Sequence, residues 1–590
     1  VRKIQPFSLH DTMMRFTAPF AYVTAVEGAS LTGLLHQQSE DGKLRPSLDD
    51  IQIGNLIKIP THRGIAFGLI ASMIVQNTPL IQGTQGMTVP CSINISLLGE
   101  IVYKDSKENT LKFRRGISSY PPLYADIFLA EEEDLMQVYA RPNEPCFRVG
   151  TLHQNNTIPA YILSNRLISN HFAVIGTTGT GKSCAVALLL HSILDAHPQG
   201  RVLLLDPHKE YAAAFGEKAE IFDTETLQLP YWLLNSEELN AIFVDKQSPT
   251  AEKEAALLRD AVVQAKILYN MDINDPSAIT VDNPLPYQLR DVLRYIDEKQ
   301  GELDQPNGHA PYLRLKSKIN QLKSDSRYKF IFTGLRVDDT FAQILSKILR
   351  LPVNGKPIAV FNLADVPTEI VDVVVSIICR LIFDFSVHTM EIERMPLLLV
   401  CEEAHRYIPR DESKGFGQTR ALLSRIAQEG RKYGIGICLV TQRPSLISET
   451  IISQCNTLIT LRMSNDIDQA FVKKFIPETA MGMMNALPAL RNQEAIISGE
   501  GVTLPMRVTL SDLPSGIRPR SETVNFSEFW ARDTWTDNKV QRVINKWRHQ
   551  DKATQKSTDV VSNNAEEGLR AALFKNTDSP STAQKKSLFL

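Results

Sequence analysis

Cysteine is scarce in this chain and never closely paired: the seven thiols at 91, 146, 184, 379, 401, 438 and 455 form no CxxC unit among 590 residues. An odd, scattered set argues against a disulfide framework and reads as small core side chains of a reducing compartment, so a cytoplasmic location is expected. Net charge is nearly absent too, with 64 basic against 66 acidic side chains. No global field singles out nucleic acid or membrane as a partner, and any polyanion-binding surface must be local. Long apolar runs are also missing. The longest, around Ile370 to Phe385, is interrupted by Asp372, Arg380 and Asp384 and is too mixed to cross a bilayer. No secretory leader is recognised and no membrane partner is expected.

What is present centres on Phe172 to Ser183, FAVIGTTGTGKS, a short apolar strand that breaks into a glycine-rich turn and opens a helix. Gly176, Gly181, Lys182 and Ser183 occupy the defining positions of GxxxxGK[ST]. Such a turn aims successive backbone N–H groups at a polyphosphate, and glycine lets the backbone come close enough. The cradle is expected to comprise Gly176, Thr178, Gly179, Thr180, Gly181, Lys182, Ser183 and Cys184. Lys182 would neutralise β/γ-phosphates, Ser183 would ligate Mg²⁺, and the helix from Cys184 would lend its positive end. ATP and Mg²⁺ are the expected cofactors.

With 590 residues, three or four units are expected. Short alternating runs such as Leu56–Ile57–Ile59 and Ile93–Ile95–Leu97, punctuated by Gly and Pro, predict a small β-barrel over residues 1–150. Its acidic run Glu131 to Asp134 reads as a solvated loop or helix start. An α/β core is expected over 151–230 and 346–512, interrupted by a helical insertion over 231–345, with a C-terminal extension over 513–590. In that extension Val540, Val543, Ile544 and Trp547 predict an amphipathic helix, followed by a polar tail from about 551 that is expected to be flexible.

Three more strand ends carry candidate chemistry. Val202 to Leu205 leads into Asp206, Pro207, His208, Lys209 and Glu210, so Asp206 and Glu210 face the carboxyl edge of a parallel sheet, although Asp206 reads equally as a helix cap. Leu397 to Val400 leads into Glu402 and Glu403, placed to hold Mg²⁺ through water and to polarise the attacking water. The usual first acid is aspartate, so Glu402 is a departure. His405 beside them finds no second ligand pair at zinc spacing. Ile435 to Val440 leads into Gln442, a candidate γ-phosphate sensor. Arg431, at a helix end, is a candidate trans-acting finger, with Arg425 as the alternative and a surface salt bridge as the bland reading. Arg406, Arg410 and Lys414 in the loop 406–419 read as channel-facing cations or as a solvated loop. Phe416 in that loop leaves a protein-remodelling role open.

Taken together, GTTGTGKS, LLLDPHKEY, LLLVCEEAH, QEGRKYGIGICLVTQRPS and EAIISGEGVTLPMRV resemble the HerA branch of the HerA/FtsK ATPases over about residues 45 to 512. The resemblance implies a RecA-like P-loop ATPase core with an N-terminal β-barrel. It further implies a homohexamer with sites between subunits, and ATP-driven translocation on double-stranded DNA. Relatives work with a separate effector, a nuclease such as NurA or a sirtuin-like or nuclease defence protein. No effector motif stands in this chain, so cutting is expected in trans, in DNA-end processing or anti-phage defence. A ring scaffold that activates an effector is the alternative.

Overall fold

The computed structural model describes residues 18–36, 51–75, 91–102 and 113–548, apart from 224, 246, 303–307, 333–336, 365, 367, 412–416, 521–525 and 533–534. Lys414, Phe416 and the tail from 551 therefore lie outside the described residues.

The first strands are β1 (Ala21–Glu27), β2 (Ser30–Leu35), β3 (Leu56–Pro60), β4 (Gly64–Val75), β5 (Cys91–Val102), β6 (Phe113–Arg115) and β7 (Asp126–Leu129). They pair in the order β2-β1-β7-β3-β4-β5, and β2 pairs again with β5, so six antiparallel strands close on themselves while β6 is added outside β5. Closure removes free edges. Alternation fills the interior with Val23, Leu31, Ile57, Ile59, Ile93, Ile95 and Ile127. Lys58 is an exception to the apolar pattern of β3: it is fully buried and its Nζ lies 2.7 Å from Asp134 Oδ2. Asp134 belongs to the helix Glu132–Val138 and also accepts from Glu131 N–H at 2.8 Å. The acidic run is thus a helix start whose last acid braces the barrel.

Eleven further strands form a second sheet: β8 (Cys146–Leu152), β9 (Pro159–Leu163), β10 (Phe172–Ile175), β11 (Val202–Asp206), β12 (Ala219–Phe222), β13 (Ile358–Asn362), β14 (Leu397–Cys401), β15 (Ile435–Thr441), β16 (Thr457–Thr460), β17 (Glu494–Gly499) and β18 (Met506–Leu510). The order is β12-β13-β11-β14-β15-β10-β16-β17-β18-β8-β9, parallel from β12 to β16 and antiparallel beyond. The central strands β10, β11, β13, β14 and β15 are buried at every position, as expected for parallel strands covered on both faces. Their register is even, with Val174 opposite Val440 and Leu205 opposite Cys401, so the tips of β10, β11, β14 and β15 share one edge. This is the α/β architecture with a barrel expected from the pattern. One boundary differs. The barrel strands end at Leu129, and β8, which begins at Cys146 within the segment read as barrel, pairs with β18 of the larger sheet. Alternation looks the same in a barrel strand and in an antiparallel wing, and only the partner separates them.

The barrel is seated on the helix Glu478–Met484, where a Cβ on Gly482 would lie 2.5 Å from Ala71 of β4, so only glycine permits the approach. Between β12 and β13 run the helices Ser236–Phe243, Ala251–Tyr269, Leu289–Gly301, Ala310–Ser324 and Phe341–Ile348. Arg380, on the helix Thr368–His388, reaches back to this region with Nη2 2.8 Å from Glu238 Oε2 and 2.6 Å from the Leu233 carbonyl. Residues 521–590 form a separate unit, in which Phe526–Trp530 and Asp537–Trp547 are helical and Trp530, Trp535, Val543 and Trp547 are exposed. Among the described residues no helix is long and apolar enough to cross a membrane.

Candidate nucleotide site

Past Ile175, Gly176 N–H still donates to the Thr441 carbonyl of β15 at 3.3 Å, and the chain then turns away from the sheet. The turn is tied by Thr180, whose hydroxyl donates to the Thr177 carbonyl at 2.7 Å. Gly179 and Gly181 take φ of +78° and +91°, a region where a side chain would be strained. The helix Lys182–Ala196 follows at once. Its first N–H groups have no intrahelical acceptor and so face the turn as anion donors.

Around this loop the strand tips converge. Lys182 is buried, with Nζ 3.3 Å from Glu403 Oε1 and 3.8 Å from Glu402 Oε1. Ser183 Oγ donates to Glu210 Oε2 at 2.7 Å. Thr178 donates its hydroxyl to Gln442 Oε1, joining the phosphate loop to the tip of β15. Of the two acids after β11, Glu210 reaches the loop. Asp206, fully buried, commits Oδ1 to His208 N–H at 3.1 Å and Oδ2 to Tyr211 N–H at 3.0 Å, so it shapes the turn. Lys209 occupies that turn at φ +60°.

Glu403 itself sits at φ +50°, an uncommon conformation for a side chain that costs of order 1 kcal/mol and persists where the surroundings impose it. Burial, opposed by Lys182 and reinforced by Glu403, pushes the Glu402 carboxyl up to about 8. For Glu403, burial is outweighed by His405 and Lys182, which bring it down to about 2. The two adjacent carboxyls are thus shifted in opposite senses, because one lysine cannot neutralise both. One lysine faces two acids here, with Glu210 a third nearby on Ser183. Hydroxyl and carboxylate oxygens with surplus negative charge suit a hard divalent cation. Among the described residues no three His, Cys, Asp or Glu side chains are grouped to hold a metal alone.

Two side chains at this centre were not legible as its members. Tyr211, fully buried, donates its hydroxyl to Glu402 Oε2 at 3.0 Å, fixing that carboxyl from the β11 side. His405, weighed above only as a zinc ligand, puts Nδ1 3.2 Å from Glu403 Oε2 and 3.3 Å from Thr441 Oγ1. It links the tips of β14 and β15. The position of Tyr211 five residues after a strand-end aspartate was its only signal.

The remaining candidates lie away from the loop. Arg431 is exposed in the turn Gly430–Tyr433 that precedes β15, and it makes no salt bridge with the described residues. Seven residues of β15 separate that turn from Gln442, about 20 Å at strand rise, so Arg431 stands at the opposite edge from its own phosphate loop. Arg425 is engaged within its own chain, 4.5 Å over the Phe383 ring and 3.7 Å from Glu429. Arg406 is exposed, and Arg410 lies 3.3 Å from Glu449.

Residues 147–382 match the family model described as the central domain of helicase HerA. A probable helicase of Methanocaldococcus jannaschii is 28% identical over 456 residues, 74% of this chain and 79% of that one. The DNA double-strand break repair helicase HerA of Pyrococcus furiosus is 25% identical over 485 residues, 76% and 82% of the two chains. Among solved structures, VirB4 of Thermoanaerobacter pseudethanolicus is 14% identical with a TM-score of 0.43, covering 64% of this chain and 99% of that one. With a match to the HerA central domain around the phosphate loop and relatives of that name along most of its length, the chain is similar to the HerA-type P-loop ATPases.

Proposed function

We propose that this ATPase works as a homohexameric ring that moves double-stranded DNA and delivers it to a separate effector protein, a nuclease or a defence enzyme. The observation that carries the reading is the separation of Arg431 from its own phosphate loop. An exposed, unpaired arginine at the far edge of the sheet has no role in its own site and fits a neighbour's. In the ring, Lys182 and the loop N–H groups would bind the triphosphate of ATP, and Ser183, Glu402 and Glu210 would hold Mg²⁺, which would supply positive charge to offset that of the phosphates. Glu403, already ionised, orients and deprotonates the attacking water, with His405 fixing its direction. Gln442 relays phosphate occupancy to the tip of β15 through Thr178. Arg431 of the adjoining subunit neutralises the charge that develops on the transferred phosphoryl group, a contribution of roughly 10³ to 10⁵ in turnover. Arg406, Arg410 and Lys414 follow the DNA backbone. The names of the relatives support DNA as the track.

The test is steady-state ATPase with and without linear duplex DNA, at low and high salt, for wild type, Lys182→Ala, Arg431→Ala and an equal mixture of the two variants. Each variant alone should be inactive. The mixture should regain activity, because a Lys182→Ala subunit can lend its arginine to an intact phosphate loop next door. DNA should stimulate both active samples, less at high salt. A silent mixture removes the shared site, and turnover indifferent to DNA moves the reading to an effector-activating scaffold.

A further inference from the structure

After β18 the chain does not leave the sheet. Ser511 N–H donates to the Val149 carbonyl at 2.9 Å, and nine residues later Arg520 N–H donates to the Glu210 carbonyl at 3.0 Å. The segment between is therefore a strap anchored at the sheet edge and again beside Ser183. Under it lies a cavity of about 220 Å³, walled on one side by Gly179, Gly181 and Leu188 and on the other by Leu513 and Arg518. Pockets that enclose a whole small ligand measure about 300–1,000 Å³. This one has room for part of a ligand whose remainder lies in the phosphate loop it adjoins.

Its chemistry narrows the part. The walls next to the loop are apolar or backbone. The Arg518 guanidinium is held flat from two sides, Nε to the Leu513 carbonyl at 2.6 Å and Nη2 to Asp512 Oδ2 at 2.6 Å. A fixed guanidinium plane opposite an apolar wall is a slot for a flat aromatic ring, gripped by its faces. The two amide side chains that could read the edge of such a ring are each tied by one atom, which leaves Asn492 Nδ2 as a donor and Gln493 Oε1 as an acceptor. Asn492 Oδ1 accepts from Arg462 at 3.1 Å, and Gln493 Nε2 donates to Asp512 Oδ1 at 3.1 Å. A site that grips faces and offers the edge one donor and one acceptor suits either purine, since each presents a donor and an acceptor there.

We propose that the cavity between the phosphate loop and the strap 511–518 holds the purine base of the bound nucleotide, with the Arg518 guanidinium stacked on the ring, and accepts adenine and guanine alike. This rests on the phosphate loop being the nucleotide site. It adds the base-binding half, the residue that supplies it, and the substrate class, purine nucleoside triphosphates in general.

The test is equilibrium binding of non-hydrolysable Mg²⁺–ATP and Mg²⁺–GTP analogues and of Mg²⁺–tripolyphosphate to wild type, Arg518→Ala, Arg518→Lys and Lys182→Ala. Wild type should bind the two purine nucleotides within about threefold of each other, and both more tightly than tripolyphosphate. Arg518→Ala should weaken both by the same factor, roughly 2- to 30-fold for a lost cation–π stack, and leave tripolyphosphate unchanged. The unchanged tripolyphosphate affinity also shows that the variant is folded. Arg518→Lys should behave like the alanine variant, because an ammonium has no plane. A parallel loss of tripolyphosphate, rescue by lysine, or more than tenfold preference for one purine would each overturn the assignment. If Lys182→Ala binds all three ligands as wild type does, the phosphate loop itself is not the site. That failure is separate from the others, and the proposal falls with it.

Discussion

Two clusters of buried charge in this molecule are built on opposite rules. In the helical insertion, Arg380 faces Glu238 through two guanidinium nitrogens, Nε at 2.9 Å and Nη2 at 2.8 Å, with the Leu233 carbonyl taking a further hydrogen bond. The buried charges balance, since the second acid near Arg380, Asp384 at 3.7 Å, is half exposed to water, and Glu238 also receives Asn235 N–H at 3.0 Å, closing the cap of its own helix. At the phosphate loop, one lysine faces two carboxylates, so the charges do not balance. A buried pair that satisfies itself fixes structure, whereas a buried set left negative is poised for a cation and a polyphosphate to complete it. Burial alone therefore does not distinguish scaffold from site, and the charge count does.

The sharpest break in the comparison is Glu403→Gln. It keeps shape and removes the charge. ATP turnover should fall by roughly 10²- to 10⁴-fold, the range for loss of a general base. Thermal stability should change little: the contacts of Glu403 with Lys182 and His405 are lost, but Lys182 then pairs with Glu402 alone, 3.8 Å away. Turnover assayed beside a melting curve checks both halves. A large loss of stability would mean that Glu403 is structural like Glu238.

The mirror experiment is Glu238→Gln. Leaving Arg380 buried without its partner should cost about 3–5 kcal/mol of stability in a urea titration, while turnover per folded molecule stays near wild type. Replacing both partners together, Glu238→Leu with Arg380→Met, should recover most of the loss, because no orphan charge remains.

The same contrast explains what the sequence shows and what it hides. The phosphate loop and the carboxylate strand are legible because a parallel strand writes itself as an apolar run and its tip as the first polar residues after the run. Glu402, Glu403 and Gln442 sit at such tips, Lys182 opens the helix after the glycine turn, and the structure brings them together. What stays hidden is pairing across long separations. Tyr211 and Glu402 are 191 positions apart and meet only because β11 and β14 are neighbours. Lys58 and Asp134 read as a strand lysine and an acidic run, and neither announces the other. Asp206 was open between two readings, since a strand-end acid can face a ligand or bond its own backbone, and only the fold shows the backbone N–H groups that take both oxygens. The strap after β18 lacks motif residues altogether and gains meaning only from the loop it crosses.

The smallest effect comes from a buried charge with no counter-ion in contact. Lys266 is fully buried, and its Nζ donates to the Val281 carbonyl at 2.7 Å and the Asn283 carbonyl at 2.6 Å. The two carbonyl dipoles, the Tyr287 ring 5.7 Å away and the more distant Asp282 compensate less than a carboxylate in contact does. Burial lowers the Lys266 pKa from 10.5 to about 8, while for Arg380 burial is outweighed by Glu238 and the shift is upward. The unfolded chain binds the lysine proton more tightly than the folded one, so between about pH 8 and pH 10.5 unfolding takes up a proton and stability increases as pH rises. Below that window the cost of burying the ammonium is present in full. Unfolding free energies of wild type and Lys266→Met, compared at about pH 7.5 and about pH 10, isolate the effect, because buried tyrosines that titrate in the opposite sense are common to both chains and cancel. Wild type should gain about 2 kcal/mol on the variant over that interval. A gap that stays constant with pH would show that the two carbonyls hold the charge as well as Glu238 holds Arg380, and the distinction between balanced and unbalanced burial would then belong to the phosphate loop alone.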